Sequence, residues 1–274
     1  MDRKALNGVE LAYEIAGSGD PLVLIHAGVC ADFFAPLAHE AALAERFRVL
    51  RYHRPGYGES PALDAPVSIS DHAAHCAGLL DELELGPAHV VGHSSSAMMA
   101  LELARERPDA VASLMLLDAA RPAPASDRQA AFVREVALPT IERYRNGDRA
   151  AAVDFWMQGV CGAEYRAPLE RAIPGAVEQA VGDADSFLGQ ELPAVMEWQF
   201  TAGDAAGITQ PALVVVGERS HPVFHERAQL LVEWLPNAES FTLPGTTHLL
   251  HVERPAEMAE ALAGFTGRHT VAGC

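Results

Sequence analysis

The chain has 274 residues, of which 49% are hydrophobic and 21% are charged. This composition is typical of a globular protein, and the length suits one large domain or one domain with an insertion. There are 20 lysines and arginines against 37 aspartates and glutamates, which gives a net charge of −17. Such a charge repels nucleic-acid phosphates and anionic lipids, so we expect no nucleic-acid or membrane partner.

The beginning of the chain has no apolar segment of the kind found in secretory signals, and no run of 18 apolar residues occurs in the sequence. We therefore expect a cytoplasmic protein. The four cysteines are widely spaced and include no C-x-x-C pair, which disfavours a disulfide framework or a zinc knuckle. We interpret them as separate thiols, at Cys30, Cys76, Cys161 and Cys274.

Short and nearly continuous apolar runs are typical of strands that are buried on both faces. They lie at residues 21–26, 48–53, 89–93, 113–118, 211–217 and 239–243, after an alternating run at 9–16 that predicts an edge hairpin. Helical spacing is found at residues 32–46, 69–85, 95–107, 223–235 and 255–265. Strands that alternate with helices predict an α/β fold, in which a parallel sheet carries helices on both faces.

Residues 120–210 interrupt this alternation, since they contain no strand-like run and are far too many for an ordinary connection. We predict a helical lid here, inserted between two parts of a core domain, residues 1–119 and 211–274. Large apolar side chains of this interval are available to line a pocket, and we expect Trp156, Phe187 and Trp198 to bind substrate. The full set is Phe155, Trp156, Phe187, Met196, Trp198 and Phe200.

One buried strand leads directly into a helix through the sequence Gly92-His93-Ser94-Ser95-Ser96. Small residues two positions before and two positions after Ser94 allow the backbone to reverse sharply, so that the serine hydroxyl projects from the edge of the sheet. Ser94 is the central residue of this turn, whereas Ser95 contributes its backbone N–H. We therefore predict that Ser94 is a nucleophile.

This strand-serine-helix sequence resembles the nucleophile elbow of the α/β-hydrolase superfamily, G-x-S-x-G, with Ser96 in place of the second glycine. The resemblance extends over nearly the whole chain. It implies the α/β-hydrolase fold, a mostly parallel sheet flanked by helices, with a helical cap inserted after the sixth strand. It also implies a catalytic triad in the chain order nucleophile, acid, base.

A serine hydroxyl needs a base to take its proton. In the superfamily the base follows the last strand in the pattern G-x-x-H-x-x-x-x-E-x-P, and the sequence from Gly245 to Pro255 matches that pattern with His248. We predict His248 as the base, with His251 as the alternative.

The family usually has its acid in the pattern G-x-x-D after the seventh strand. In this sequence the corresponding segment begins at Gly217, and Ser220 stands where the aspartate is expected. Asp118 stands one strand-helix-strand step after Ser94, at the end of the adjacent strand. An acid in that position is similar to the arrangement in zearalenone lactone hydrolases. We predict Asp118 as the acid; Glu218 and a Ser–His pair without an acid are the alternatives.

An oxyanion hole requires two backbone N–H groups directed at the developing negative charge. The resemblance assigns one of them to Ser95, after the nucleophile. The segment His26-Ala27-Gly28 is similar to the family's H-G-x, which assigns the second donor to Gly28 or to an immediate neighbour.

These residues imply a serine hydrolase that cleaves an ester or a lactone of a small, largely apolar substrate through an acyl-serine intermediate. Hydrolysis of a C–C bond, a cofactor-free lyase or perhydrolase reaction, and a non-catalytic ligand receptor are the alternatives. We expect no cofactor and no metal, because neither G-x-G-x-x-G nor a P-loop occurs. A small-molecule substrate, with the protein as a monomer or homodimer, is expected. The net charge also predicts a preference for neutral over anionic esters.

Overall fold

The computed structural model describes residues 1–6, 8–120 and 126–269, so Cys274 lies outside the described residues. Eight strands form one sheet in the order β1-β2-β4-β3-β5-β6-β7-β8. The pairs β1–β2 and β2–β4 are antiparallel and all others are parallel. The strands are β1 Asp2–Leu6, β2 Val9–Ala16, β3 Asp20–Ile25, β4 Phe47–Tyr52, β5 Ala88–His93, β6 Val111–Leu117, β7 Ala212–Gly217 and β8 Ala238–Leu243.

Helices cover both faces of the sheet, and the predicted α/β-hydrolase fold is confirmed. The helices are α1 Ala35–Ala38, α2 Ala41–Ala44, α3 Ile69–Glu82, α4 Ser95–Glu106, α5 Asp127–Phe132, α6 Leu138–Arg145, α7 Arg149–Cys161, α8 Arg166–Ala172, α9 Ala176–Gly182, α10 Leu192–Glu197, α11 Ala202–Ala206, α12 Pro222–Trp234, α13 Leu250–Glu253 and α14 Pro255–Thr266. One apolar cluster packs α3, α4 and part of α12 on one face, and a second packs α1, α2 and α14 on the other.

The prediction of one helix over residues 32–46 is wrong, because the chain forms the short helices α1 and α2 instead. Glu40 between them is extended, with φ −66° and ψ 134°. Leu37 and Leu43 are both fully buried in the same cluster. Six residues correspond to about 240° of rotation around one helix, so a continuous helix would turn these side chains in different directions. The break allows both to pack against the sheet.

The segment between β6 and β7 is helical through most of its described length and contains α5–α11. Two wider π-helical turns, Val133–Ala137 and Asp185–Glu191, precede α6 and α10. Each stands shortly before a proline, Pro139 or Pro193, whose ring would clash with a carbonyl one turn earlier in a regular helix. A third apolar cluster joins this segment to the loop that follows β3.

A buried ion pair also joins the segment to the core. The Arg54 guanidinium donates to Oε2 of Glu191 at 2.8 Å, and the two side chains are 0% and 1% exposed. The Tyr57 hydroxyl donates to the same oxygen. Arg54 Nε donates to the carbonyl of His26 at 3.0 Å. Glu191 is therefore tied to the loop that contains Gly28.

Within the described part of the chain, no helix has both the length and the apolar character needed to cross a membrane.

Candidate active site

The turn between β5 and α4 holds Ser94 in a strained conformation, with φ 54° and ψ −119°. A side chain at Gly92 would place its Cβ 2.5 Å from the carbonyl oxygen of Ser96, so glycine is required there. Ser96 fits in place of the second glycine of the motif because its buried hydroxyl donates to the carbonyl of Ile25 and accepts from the His93 N–H. These bonds connect the elbow to β3.

Backbone strain is concentrated around this serine. Of the four described residues other than glycine with positive φ, three lie here: Val29 at 83°, Ser94 at 54° and Asp118 at 41°. Each such conformation costs of the order of 1–3 kcal/mol and persists only where the surrounding structure imposes it. They follow β3, β5 and β6, whose carboxyl ends lie side by side in the sheet. The strain therefore marks this edge of the sheet as the candidate functional site.

His248 lies in the loop after β8, where its ring contacts Asp118. The Nδ1 atom lies 3.0 Å from Oδ2 of Asp118, and the two side chains are 5% and 0% exposed. Because a carboxylate only accepts hydrogen bonds, we assign the ring proton to Nδ1, which leaves Nε2 as an acceptor. His248 and Ser94 line the same cavity.

Asp118 is held by groups from the end of β7 and from the loop that follows it. The Ser220 hydroxyl donates to Oδ2 at 2.5 Å, and the Gly217 N–H donates to Oδ1 at 3.2 Å. Glu218, the alternative acid, is exposed and accepts from the Gly245 N–H at 2.7 Å. The structure thus brings Asp118, and not Glu218, to the ring of His248.

Burial disfavours the charged form of both partners. It raises the pKa of Asp118 to about 7, although the hydrogen bonds from Ser220 and Gly217 favour the carboxylate. It lowers the pKa of His248 to about 3, and the positive charge of Arg227 acts in the same direction. His248 is therefore neutral at neutral pH, as a base must be before it accepts a proton.

Two further histidines pack behind His248. His93 Nε2 donates to the carbonyl of His248 at 2.9 Å, and the ring of His93 lies between those of His248 and His251, at 4.6 Å and 4.4 Å. His251, the alternative base, is fully buried and is not part of the cavity wall. Its position against Phe34, at 4.7 Å, is that of a core residue.

The two predicted oxyanion donors are adjacent. The Gly28 N–H donates to the Ser95 hydroxyl at 3.2 Å, and both residues line the cavity. Ser95 is the first residue of α4, where the helix dipole favours negative charge. A side chain at Gly28 would lie 2.2 Å from the ring of Phe187, so this loop approaches the helical segment closely.

The cavity above Ser94 has a volume of about 120 Å³, close to that of an engineered cavity that binds benzene. Trp156, Phe187 and Met196 line it, and the Trp156 and Phe187 rings meet edge to face at 5.3 Å. Phe155, Trp198 and Phe200 do not line it.

Trp198, which was also expected to bind substrate, lies outside the wall of this cavity. Trp198 leaves the end of α10 in an extended conformation. Its Nε1 donates to Oε2 of Glu102 at 3.2 Å, and its ring stacks on Phe200 at 5.1 Å. These contacts direct it toward α4 on one face of the sheet.

The cavity wall also contains residues that the sequence did not predict, among them Phe224, Arg227 and Gln129. Phe224 stacks on His248 with ring centroids 4.1 Å apart, and Arg227 donates to Oε1 of Gln129 at 2.6 Å. Phe224, Arg227 and Leu231 lie at helical spacing on the buried side of α12. An arginine within an apolar helical stripe is the sequence signal that could have identified this side chain.

The fold is that of an α/β hydrolase. The chain belongs to the alpha/beta hydrolase family, whose model matches residues 22–261. A relative named "Putative carbamate hydrolase RutD", from Variovorax paradoxus (strain S110), is 29% identical over 96% of this chain and 98% of its own length.

A second relative is the dihydrolipoyllysine-residue acetyltransferase component of an acetoin cleaving system from Pseudomonas putida, 27% identical over 94% of this chain. The match spans 66% of that relative's length. Among solved structures, an enol-lactonase from Burkholderia xenovorans LB400 superposes with a TM-score of 0.83 and 24% identity, over 97% of this chain and 100% of its own. A likeness at that identity concerns the fold alone.

Proposed function

We propose that the protein is a serine hydrolase that cleaves a carboxylic ester or a lactone of a small, largely apolar substrate. The observation that carries this proposal is the buried Asp118–His248 pair on the wall of the cavity that also contains Ser94. The relative named as a putative carbamate hydrolase supports acyl transfer to water as the reaction type.

In the proposed reaction, Nε2 of His248 takes the proton from the Ser94 hydroxyl as its oxygen attacks the substrate carbonyl carbon. Asp118 holds Nδ1–H and stabilises the imidazolium that forms. The Ser95 N–H stabilises the tetrahedral oxyanion together with the Gly28 N–H, which exchanges its long hydrogen bond to the Ser95 hydroxyl for one to the oxyanion. The alcohol leaves with the proton from His248, and water then hydrolyses the acyl-serine ester with His248 again as base.

The helical segment between β6 and β7 serves in this proposal as the lid of the site. Its residues Trp156 and Phe187 line the cavity, and in this proposal they shield the reacting groups from bulk water. We further propose that the protein acts in the cytoplasm without a cofactor.

Labelling with a fluorophosphonate probe tests the nucleophile. We expect the probe to modify Ser94 in the folded wild-type protein and to modify neither the Ser94→Ala nor the His248→Ala variant. Ser240→Ala, which changes an exposed serine on β8, is the matched control and should be labelled normally. Absence of labelling in folded wild-type protein would refute the proposal.

A panel of short p-nitrophenyl esters and lactones tests the reaction. We expect hydrolysis of esters or lactones that is lost in Ser94→Ala. Turnover of a β-diketone or a cyanohydrin without any ester or lactone hydrolysis would assign the same site to cleavage of carbon–carbon bonds instead.

A further inference from the structure

The wall of the largely apolar cavity includes a charged side chain. Arg227, on α12, is 3% exposed and lines the cavity together with Ser94 and His248. Among the described residues that form this wall there is no aspartate or glutamate. The described wall therefore carries a positive charge, although the chain as a whole has a net charge of −17.

The guanidinium of Arg227 is held from both sides of the cavity. Its Nη2 donates to Oε1 of Gln129, which lies on α5 of the helical segment. Its central carbon lies 5.2 Å and 5.4 Å from the ring centroids of Phe224 and Phe132, which also line the cavity. Contacts with aromatic rings restrict a guanidinium to a defined position, which favours specific recognition over a mobile surface charge.

Arg227 is also close to the residues proposed to perform the reaction. The Phe224 ring that it approaches stacks on His248 at 4.1 Å. Burial is the largest cause of the lowered pKa of His248, and the positive charge of Arg227 is the second largest. A group bound to Arg227 would thus belong to the same small molecule whose carbonyl reaches Ser94, since the cavity has only about 120 Å³.

A guanidinium has five N–H donors in a planar fork that matches the two oxygens of a carboxylate. Charge-assisted hydrogen bonds of this kind strengthen when water is excluded. We propose that Arg227, positioned by Gln129, binds a carboxylate that the substrate carries at the end away from the scissile bond. The substrate class is then the monoesters of small dicarboxylic acids and lactones that carry a carboxylate. This inference rests on the proposed function and refines its substrate.

The proposal differs from the preference for neutral esters that the net charge predicts. Surface charges are screened over about 8 Å at physiological ionic strength, whereas a buried charge in contact with the ligand is screened much less. Arg227 therefore acts directly on the bound substrate, whereas the overall charge acts mainly on the approach of the substrate.

Matched ester pairs test the proposal. Monomethyl succinate, glutarate and adipate are each compared with the methyl ester in which an isopropyl group replaces the carboxylate. We expect kcat/KM of the best monoester to exceed that of its neutral counterpart by at least about tenfold, from the strength of charge-assisted hydrogen bonds. The excess should persist at 0.5 M NaCl. Equal or faster hydrolysis of the neutral esters would overturn the proposal.

The ratio of the two kcat/KM values is the readout for variants, because any effect of Arg227 on His248 is common to both substrates. Arg227→Met should reduce the ratio to about one, and Arg227→Lys should retain part of it. Arg143→Met is the matched control: it removes an arginine that packs on Phe155 at 3.9 Å, outside the cavity wall, and should leave the ratio unchanged. An Arg227→Met variant that keeps the wild-type ratio would show that Arg227 does not bind the carboxylate.

Binding to the Ser94→Ala variant separates this proposal from the proposed function. We expect monomethyl glutarate to bind this variant, measured by calorimetry, and to bind at least about tenfold more weakly when Arg227→Met is added. If fluorophosphonate labelling of wild-type Ser94 fails but this difference in affinity is observed, the hydrolase assignment falls and the carboxylate site stands. If labelling succeeds and the affinities are equal, the carboxylate site falls and the hydrolase assignment stands.

Discussion

The Ser220 hydroxyl donates a 2.5 Å hydrogen bond to Oδ2 of Asp118, the oxygen that also meets His248. Ser220 occupies the sequence position where the superfamily usually has the acid, so serine at this position supports a carboxylate that comes from the neighbouring strand. Because Asp118 is fully buried, each hydrogen bond to its charged form opposes the cost of removing that charge from water.

The variant Ser220→Ala should therefore raise the pKa of Asp118 further above its usual range. Burial already raises this pKa to about 7, and the Ser220 hydrogen bond lowers it. The proposed reaction requires the ionised carboxylate. As the pH falls, activity should therefore begin to decrease at a higher pH in the variant than in the wild type. We expect the acidic limb of kcat/KM against pH, measured with a neutral ester, to move upward by about one pH unit.

Activity of Ser220→Ala above this limb should approach that of the wild type, which distinguishes an effect on ionisation from general damage to the site. The control is Ser240→Ala, because Ser240 is exposed on the edge strand β8. Superimposable pH profiles of Ser220→Ala and wild type would show that the hydroxyl does not support the carboxylate.

Asp118→Asn tests which acid positions His248. An amide cannot stabilise the imidazolium and favours the wrong tautomer, so kcat should fall by about three to four orders of magnitude. Glu218→Gln is the matched control, since Glu218 is exposed and contacts the Gly245 backbone. We expect it to retain nearly full activity in the same ester assay. A large loss in Glu218→Gln with little loss in Asp118→Asn would reverse the assignment.

The strands were predictable because burial on both faces leaves a simple signal. Five of the six apolar runs lie within one residue of the observed strand ends, and only the start of β6, at Val111, is displaced by two. The helix over residues 32–46 was not predictable from local spacing, because the break at Glu40 is imposed by the packing of Leu37 and Leu43 on the sheet.

Some residues of the candidate site could likewise be predicted from the sequence, and others could not. Ser94, Asp118 and His248 lie at ends of sheet strands or in loops that motifs identify, so their sequence positions carried enough information to select them. The contact of Trp198 with Glu102 was not predictable, because side-chain directions in the helical segment depend on how its helices pack, which spacing does not determine. Arg227 was missed because a charged residue on an amphipathic helix is ordinarily assigned to solvent.

Glu191→Ala should destabilise the protein, because it leaves the Arg54 guanidinium buried without this carboxylate. Removal of one partner of a buried ion pair costs about 3–5 kcal/mol. We expect a loss of that size in the free energy of unfolding, measured with urea. Glu197→Ala, at an exposed position on α10, is the control and should change stability by less than about 0.5 kcal/mol.

A double variant distinguishes the effect of leaving one buried charge uncompensated from the effect of losing side-chain packing. Arg54→Met with Glu191→Leu removes both charges, and we expect it to be more stable than Glu191→Ala alone. A double variant as unstable as the single one would indicate that packing of these side chains, rather than the uncompensated charge, determines stability here.

Gly28→Ala should impair the oxyanion hole through a steric conflict with the helical segment. The new Cβ would lie 2.2 Å from Cδ2 of Phe187, a buried ring that is backed by Trp156 at 5.3 Å. Because the ring has little room to move, the loop must shift and carry the Gly28 N–H with it. Misplacement of one oxyanion donor lowers kcat by about 10²–10³-fold, which we expect in steady-state ester hydrolysis.

Removal of the Phe187 ring should relieve this steric conflict and allow the backbone N–H of residue 28 to return to its position. We expect Gly28→Ala with Phe187→Ala to recover much of the kcat lost by Gly28→Ala, with Phe187→Ala alone as the reference for the lost ring. Gly182→Ala on α9 is the matched control, because nothing lies within 4 Å of a Cβ there and its backbone needs no positive φ. If Gly28→Ala keeps the wild-type kcat, the N–H of Gly28 is not the donor, and the neighbouring Val29, with its φ of 83°, becomes the residue to test.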